Sequence, residues 1–137
     1  MTDALVQFLR DRLDDDERAA ESASPGPWHV NPESDEVLAV DDVTVADGFA
    51  LSGQQLRATT EHIARHDPAR VLAEVESKRW IVECHESWVT GNGDTICGRC
   101  GREHIDGRPG GHFPCQTLRL LALPYADHPD YRQDWKP

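Results

Sequence analysis

The feature that most constrains this chain is the placement of its four cysteines, which all lie between residues 84 and 115 of 137. Two of them form the sequence Cys97-Gly98-Arg99-Cys100, and Gly101 follows. This spacing is typical of a zinc knuckle, in which two thiolates lie on a tight turn and small residues let backbone amides face the sulfurs. A redox pair is the alternative, but a thioredoxin-like pair opens a helix, whereas glycines surround this one. The pattern therefore favours metal binding.

A zinc knuckle needs two further ligands from elsewhere in the chain. Cys115 is one, because it is expected at the start of a short helix, where the helix dipole lowers the pKa of a thiol. The candidates for the fourth ligand are Cys84, His85, His104 and His112. His85 is favoured because it continues the apolar face of a long predicted helix. Cys84 points about 100° away around that helix, and we expect it to be a small, half-buried residue.

The predicted site holds one structural Zn²⁺ through three thiolates and one imidazole, from His85, Cys97, Cys100 and Cys115. Four protein ligands leave no position for a catalytic water. Three thiolates and Zn²⁺ carry a net negative charge, which nearby arginines can offset: Arg99, Arg102 and Arg119. A disulfide framework is the alternative, but it needs an oxidising compartment, and residues 1–12 carry no export signal.

The charge balance limits the classes of partner. The chain has 25 acidic and 14 basic residues, a net charge of −11, and residues 1–76 hold 17 of the acids but only 6 of the bases. This charge argues against a general binder of nucleic acid or of anionic membranes. Because residues 77–137 are neutral overall and contain several arginines, a nucleic-acid-binding zinc finger remains the alternative function. No segment reaches the ~18 apolar residues of a membrane helix, so we expect a cytoplasmic protein.

Hydrophobic spacing predicts an α+β fold: a helical body with a small antiparallel sheet and a C-terminal zinc-knuckle module. Helices are expected over residues 3–22, 54–66, 67–86 and 115–123, short strands within 28–52, and a loop-rich segment over 87–114. Asp67 is the expected cap of the third helix, with Pro68 at its first position. We expect Tyr131 and Trp135 to dock the C-terminal tail. We divide the chain into an acidic body, residues 1–83, and a zinc module, residues 84–137.

A second pair of potential ligands is His62 and His66, four residues apart on one helix face. The segment lacks the glutamate of the HExxH zinc-protease motif, so surface or helix-capping roles are expected. A metal-dependent hydrolase that uses these histidines is a second alternative function, although the sequence contains no complete catalytic set.

Several segments resemble one uncharacterised family. They are residues 62–79 (HIARHDPARVLAEVESKR), residues 113–131 (FPCQTLRLLALPYADHPDY), Gly26-Pro27-Trp28 and the helix over residues 3–18. The chain is similar in these to small actinobacterial and actinophage proteins, a domain of unknown function, family 6221. The resemblance implies a histidine near the end of the long helix, a CxxC and a Pro-Cys-x-Thr, which fall on His85, Cys97, Cys100 and Cys115. It implies no activity, substrate or partner.

The function predicted from these features is non-enzymatic. We expect a small zinc-stabilised interaction or accessory module whose acidic surface suits a basic protein partner.

Overall fold

The structure, a computed structural model, describes residues 3–102 and 113–137. Its elements in chain order are α1 (Ala4–Ser22), β1 (His29–Val30), β2 (Glu36–Leu38), β3 (Thr44–Asp47), α2 (Gly53–Arg65), α3 (Pro68–Cys84), β4 (Ser87–Val89), β5 (Thr95–Cys97) and α4 (Gln116–Ala122). Short 3₁₀ turns cover Cys100–Arg102, Leu123–Tyr125 and Gln133–Trp135. Helices and small antiparallel sheets confirm the α+β class. Among the described residues, no helix combines the length and the apolar character that crossing a membrane requires.

The chain forms two compact units. The first consists of Met1–Asp14 and Glu76–Pro137, and the second of Asp15–Val75. Helices α1 and α3 each contribute residues to both units. The functional boundary expected between residues 83 and 84 stays a prediction.

The core of the first unit joins the start of the chain to its end. Leu5, Phe8 and Leu9 of α1 are buried, and the Phe8 ring contacts the rings of Tyr131 and Trp135 at centroid distances of 6.0 and 5.1 Å. The two C-terminal aromatics are themselves buried, which confirms that they dock the tail. Helix α1 begins at a cap, because Asp3 Oδ1 accepts a hydrogen bond of 2.8 Å from the Leu5 amide.

Residues 87–97 form a β-hairpin, so the prediction that residues 87–114 are loop-rich is wrong for this part. Strands β4 and β5 pair antiparallel, with Ser87 opposite Cys97 and Val89 opposite Thr95. The turn between them was predicted from Gly91-Asn92-Gly93-Asp94, and Gly93 has a φ of +85°, a conformation that favours glycine. A turn expected within a loop therefore sets the register of two strands.

The second unit contains a three-stranded antiparallel sheet in the order β1-β2-β3, against which α2 packs. Val37 and Ala39 are fully buried. Asp67 caps α3 as predicted, since its Oδ1 accepts from the Arg70 amide at 2.8 Å. Its Oδ2 accepts from the Trp28 amide at 3.0 Å. This one carboxylate therefore links the start of α3 to the chain that enters the sheet.

Candidate metal centre

Four side chains of the first unit converge on one point. The ligand atoms of His85, Cys97, Cys100 and Cys115 all lie within 4.8 Å of one another. The Nδ1 atom of His85 is 3.4 Å from Cys97 Sγ, 3.4 Å from Cys100 Sγ and 3.5 Å from Cys115 Sγ. All four cysteines are free thiols. The structure thus brings together the four residues selected from the sequence.

Hydrogen bonding alone does not account for three sulfurs around one ring nitrogen. Nδ1 of an imidazole has either one proton or one lone pair, and it serves one partner well. A metal ion between the four atoms would satisfy all of them at once. With Zn–S near 2.3 Å and Zn–N near 2.0 Å, a regular tetrahedron places nitrogen and sulfur about 3.5 Å apart. The three observed distances match this value, so the group can hold a metal ion.

The β-hairpin positions two of these residues. Because Ser87 pairs with Cys97, the antiparallel register brings His85, two residues before β4, beside the residues that follow β5. The Gly98 amide extends the pairing by donating to the Glu86 carbonyl at 2.8 Å. Helix α3 ends at Cys84, one residue before His85 and not beyond it as expected. The His85 amide still donates to the Val82 carbonyl at 3.1 Å, which fixes the backbone at the helix end.

The knuckle itself is a tight turn in which small residues are required. The Cys100 amide donates to Cys97 Sγ at 3.4 Å, the contact predicted for a thiolate on such a turn. A Cβ on Gly98 would lie 3.2 Å from the Glu86 carbonyl oxygen, and one on Gly101 would lie 2.7 Å from Cδ1 of Ile96. Both glycines therefore permit the close approach of this turn to the hairpin.

Cys115 comes from a separate element. It is the N-cap residue of α4, with an extended backbone, and it is buried. The side chain of Arg119 donates to the backbone oxygens of Pro114 at 3.1 Å and Asp134 at 3.2 Å. Through these bonds Arg119 holds the residue before Cys115 to the C-terminal tail. Arg119 therefore acts on backbone carbonyls, and the offset of thiolate charge expected from it stays a prediction.

Burial sets the protonation of the group. Desolvation lowers the pKa of His85, and the charge of Arg99 lowers it further, so the imidazole is kept neutral and able to donate its lone pair. Burial raises the pKa of Cys100 to about 12, and hydrogen bonding and charge from the neighbouring thiols add to this effect. Burial also raises the pKa of Cys115, although a hydrogen bond from the backbone amide of Leu118 lowers it. The lowered pKa expected at the start of α4 is therefore wrong for the thiol by itself. A cation in the centre would reverse the effect on the thiols by stabilising the thiolates.

The remaining candidates lie elsewhere. Cys84 is exposed, which makes the expectation of half-burial wrong, and it does not join the group. His104 and His112 fall outside the described residues, as does the side chain of Arg102. His62, on α2, and His66, the C-cap residue after it, are both exposed and do not belong to the group. Sequence reasoning did not predict the β-hairpin that positions these ligands. An Asn-Gly turn between Trp88-Val89 and Ile96 is the signal that could have indicated it.

A family model described as a family of unknown function (DUF6221) matches residues 2–137. No curated protein and no solved structure matches the chain. The family description names no activity, so the chemistry has to be argued from the site itself.

Proposed function

We propose that this chain, which belongs to the DUF6221 family, is a non-enzymatic interaction module that one Zn²⁺ ion stabilises. The ligands are the thiolates of Cys97, Cys100 and Cys115 and Nδ1 of His85. The observation that carries the proposal is the position of Nδ1, 3.4–3.5 Å from all three sulfurs.

The donor set supports zinc as the metal. Thiolates select soft and borderline cations, and a tetrahedral site rich in sulfur is typical of zinc or of iron. Zinc has no preferred geometry of its own and accepts three thiolates with one imidazole in structural sites. A single mononuclear centre with one imidazole ligand fits zinc better than an iron–sulfur cluster, whose usual ligands are cysteines.

A closed ligand set supports a structural role. Four protein ligands leave no position for a water nucleophile or a substrate atom. Cys97 and Cys115 also belong to the hydrophobic core of the first unit, together with Leu118 and the α1 side chains. Metal binding would therefore connect the hairpin, the knuckle and α4, and its free energy would contribute to folding. Because thiolate ligands must stay reduced, we place the protein in a reducing compartment, the cytoplasm.

Charge and exposed apolar residues support a protein partner. The net charge of −11 suits a basic partner and opposes a polyanion. Next to the knuckle, β4 carries two large apolar side chains at the surface, Trp88 (53 % exposed) and Val89 (64 % exposed). Aromatic residues are enriched in protein interfaces relative to the rest of the surface. We call these two residues the hairpin face and assign the contact to them.

Metal analysis tests the zinc part of the proposal. The protein is purified under reducing conditions without chelator, and its metals are measured by mass spectrometry. About one zinc per chain is expected. Folded protein that contains iron instead, or no metal, would contradict the proposal.

A pair of tryptophan variants tests the interaction part. Trp88→Ser removes an aromatic residue of the hairpin face, while Trp80→Ser removes one of similar exposure, 61 %, from α3. Wild-type and Trp80→Ser protein should capture the same basic protein, in a salt-sensitive manner, and zinc-loaded Trp88→Ser should lose it. Equal capture by both variants would contradict the assignment. Fluorescence anisotropy that shows micromolar binding to duplex DNA at ~0.15 M salt would favour the nucleic-acid alternative instead.

A further inference from the structure

Two exposed histidines at the end of α2 form a second potential ligand pair. His62 and His66 are four residues apart, and their rings lie 4.3 Å apart between centroids, tilted by 39°. Helical spacing alone predicts that two such residues share a face. The ring distance adds that the two imidazoles lie side by side on the surface of the second unit.

The orientation of His66 is fixed by the helix end. Its Nδ1 lies 2.8 Å from the carbonyl oxygen of His62. A carbonyl only accepts hydrogen bonds, so Nδ1 carries the proton, and in the neutral ring Nε2 carries the lone pair. Metal-binding histidines are commonly oriented in this way, with one ring nitrogen donating to a backbone carbonyl and the other facing the metal. The helix-capping role predicted for this pair is therefore compatible with a ligand role, because capping uses only Nδ1.

The surroundings of the two rings leave them available to bind a metal ion. Within the described part of the chain, no hydrogen bond or ion pair involves the His62 side chain or Nε2 of His66. The positive charge on the same turn, Arg65, is paired with Glu61 at 2.7 Å. A cation that approaches the rings therefore meets a compensated charge and not a free guanidinium group.

We propose that His62 and His66 form a second metal site, which takes a divalent transition-metal cation of the class that prefers imidazole. Metal–nitrogen bonds near 2.0–2.1 Å put two nitrogens on one metal about 3 Å apart, which neighbouring rings on one helix face can reach. Two protein ligands leave the other coordination positions to water or to a partner. The site is thus open and exchangeable, and it should bind Cu²⁺ more tightly than Ni²⁺ or Zn²⁺.

Nickel titration of zinc-loaded, untagged protein tests the site. Isothermal calorimetry at pH 7.5 with Ni²⁺ alone should show one site per chain. His62→Ala removes one ligand but keeps the backbone carbonyl that orients His66, so the helix end stays capped. Because the second ligand acts at high effective concentration, this variant should bind Ni²⁺ about 10- to 100-fold more weakly. His29→Ala, which removes another exposed histidine of the same unit, should bind like the wild type.

Two further measurements separate the proposal from its alternatives. Zinc release is followed with a chromogenic chelator during the titration, and it should be absent. Nickel should also raise the thermal midpoint of the wild type but not that of His62→Ala, because the cation binds the folded helix. Equal affinity in wild type and His62→Ala would show a helix cap only and overturn the proposal. Binding that releases zinc in equal amount would overturn it as well.

Discussion

His85 and Cys84 are neighbours in sequence, yet their side chains lie in different surroundings. His85 directs Nδ1 toward three sulfurs, whereas the thiol of Cys84 is exposed at the end of α3. The choice between them could be made from the sequence, because a helix turns by about 100° per residue and only one of the two continues the face that contains Val82. The exposure of Cys84 could not be predicted, because the helix was expected to continue to residue 86, whereas α3 ends at Cys84.

The two residues should behave differently when replaced. His85→Ala removes one ligand, so the zinc content of the purified protein should fall sharply and its thermal midpoint with it. Cys84→Ser should keep its zinc and change the free energy of unfolding by less than about 0.5 kcal/mol, as is usual for exposed positions. Metal analysis and thermal unfolding under reducing conditions provide the comparison.

Nonspecific damage at the end of α3 would affect both variants alike. If Cys84→Ser loses the metal and His85→Ala retains it, the site is formed by cysteines alone. If both retain it, the fourth ligand comes from the segment that contains His104 and His112.

At the scale of elements, the sequence pattern did not predict the hairpin. The strands have three residues each, and every side chain of β4 is exposed, so the alternation of buried and exposed residues that predicts strands is absent there. The turn signal was present, because Asn-Gly between apolar residues is typical of a hairpin. The helices were predicted within about two residues, since their apolar spacing extends over many turns, and Asp67 was correctly identified as a cap.

The contact between the knuckle and the hairpin predicts a specific sensitivity to volume. A methyl group on Gly101 would lie 3.1 Å from Cβ of Ile96 and 2.7 Å from its Cδ1. A β-branched side chain has little freedom at χ1, so Ile96 cannot move away easily. Gly101→Ala should therefore lower the free energy of unfolding by about 1–3 kcal/mol and weaken zinc binding.

Gly91→Ala, in the hairpin turn, is the matched control. A Cβ there meets nothing within 4 Å, so the change should stay within about 0.5 kcal/mol. Denaturant unfolding and a zinc competition assay measure both quantities. Equal behaviour of the two alanine variants would show that the knuckle does not press against Ile96.

At the scale of the whole molecule, the site belongs to a unit built from both ends of the chain. Leu5, Phe8 and Leu9 of α1 share one hydrophobic cluster with Cys97 and Cys115. Sequence order could not reveal this arrangement, because no local pattern states which distant segments pack together. The composition boundary between an acidic first half and a neutral second half describes charge, which does not determine packing.

This shared core predicts how loss of the metal spreads. Removal of zinc with a strong chelator should raise hydrogen exchange in residues 84–100 and 115–123, and also in the first half of α1. Residues 29–66 of the second unit should change less, because they contain none of the proposed zinc ligands. Hydrogen exchange measured by mass spectrometry compares the two groups of residues with and without zinc. Unchanged protection in residues 4–13 would show that α1 is held independently of the metal.

The central claim is that one zinc ion lies between His85 and the three thiols, and X-ray absorption at the zinc edge tests it most directly. The protein as purified, with the His62→Ala replacement to exclude metal at the other histidine pair, should show three sulfur neighbours at about 2.3 Å and one nitrogen at about 2.0 Å. His85→Ala should lose this nitrogen or the zinc itself. Zinc bound by four sulfurs, or by nitrogen and oxygen only, would contradict the account.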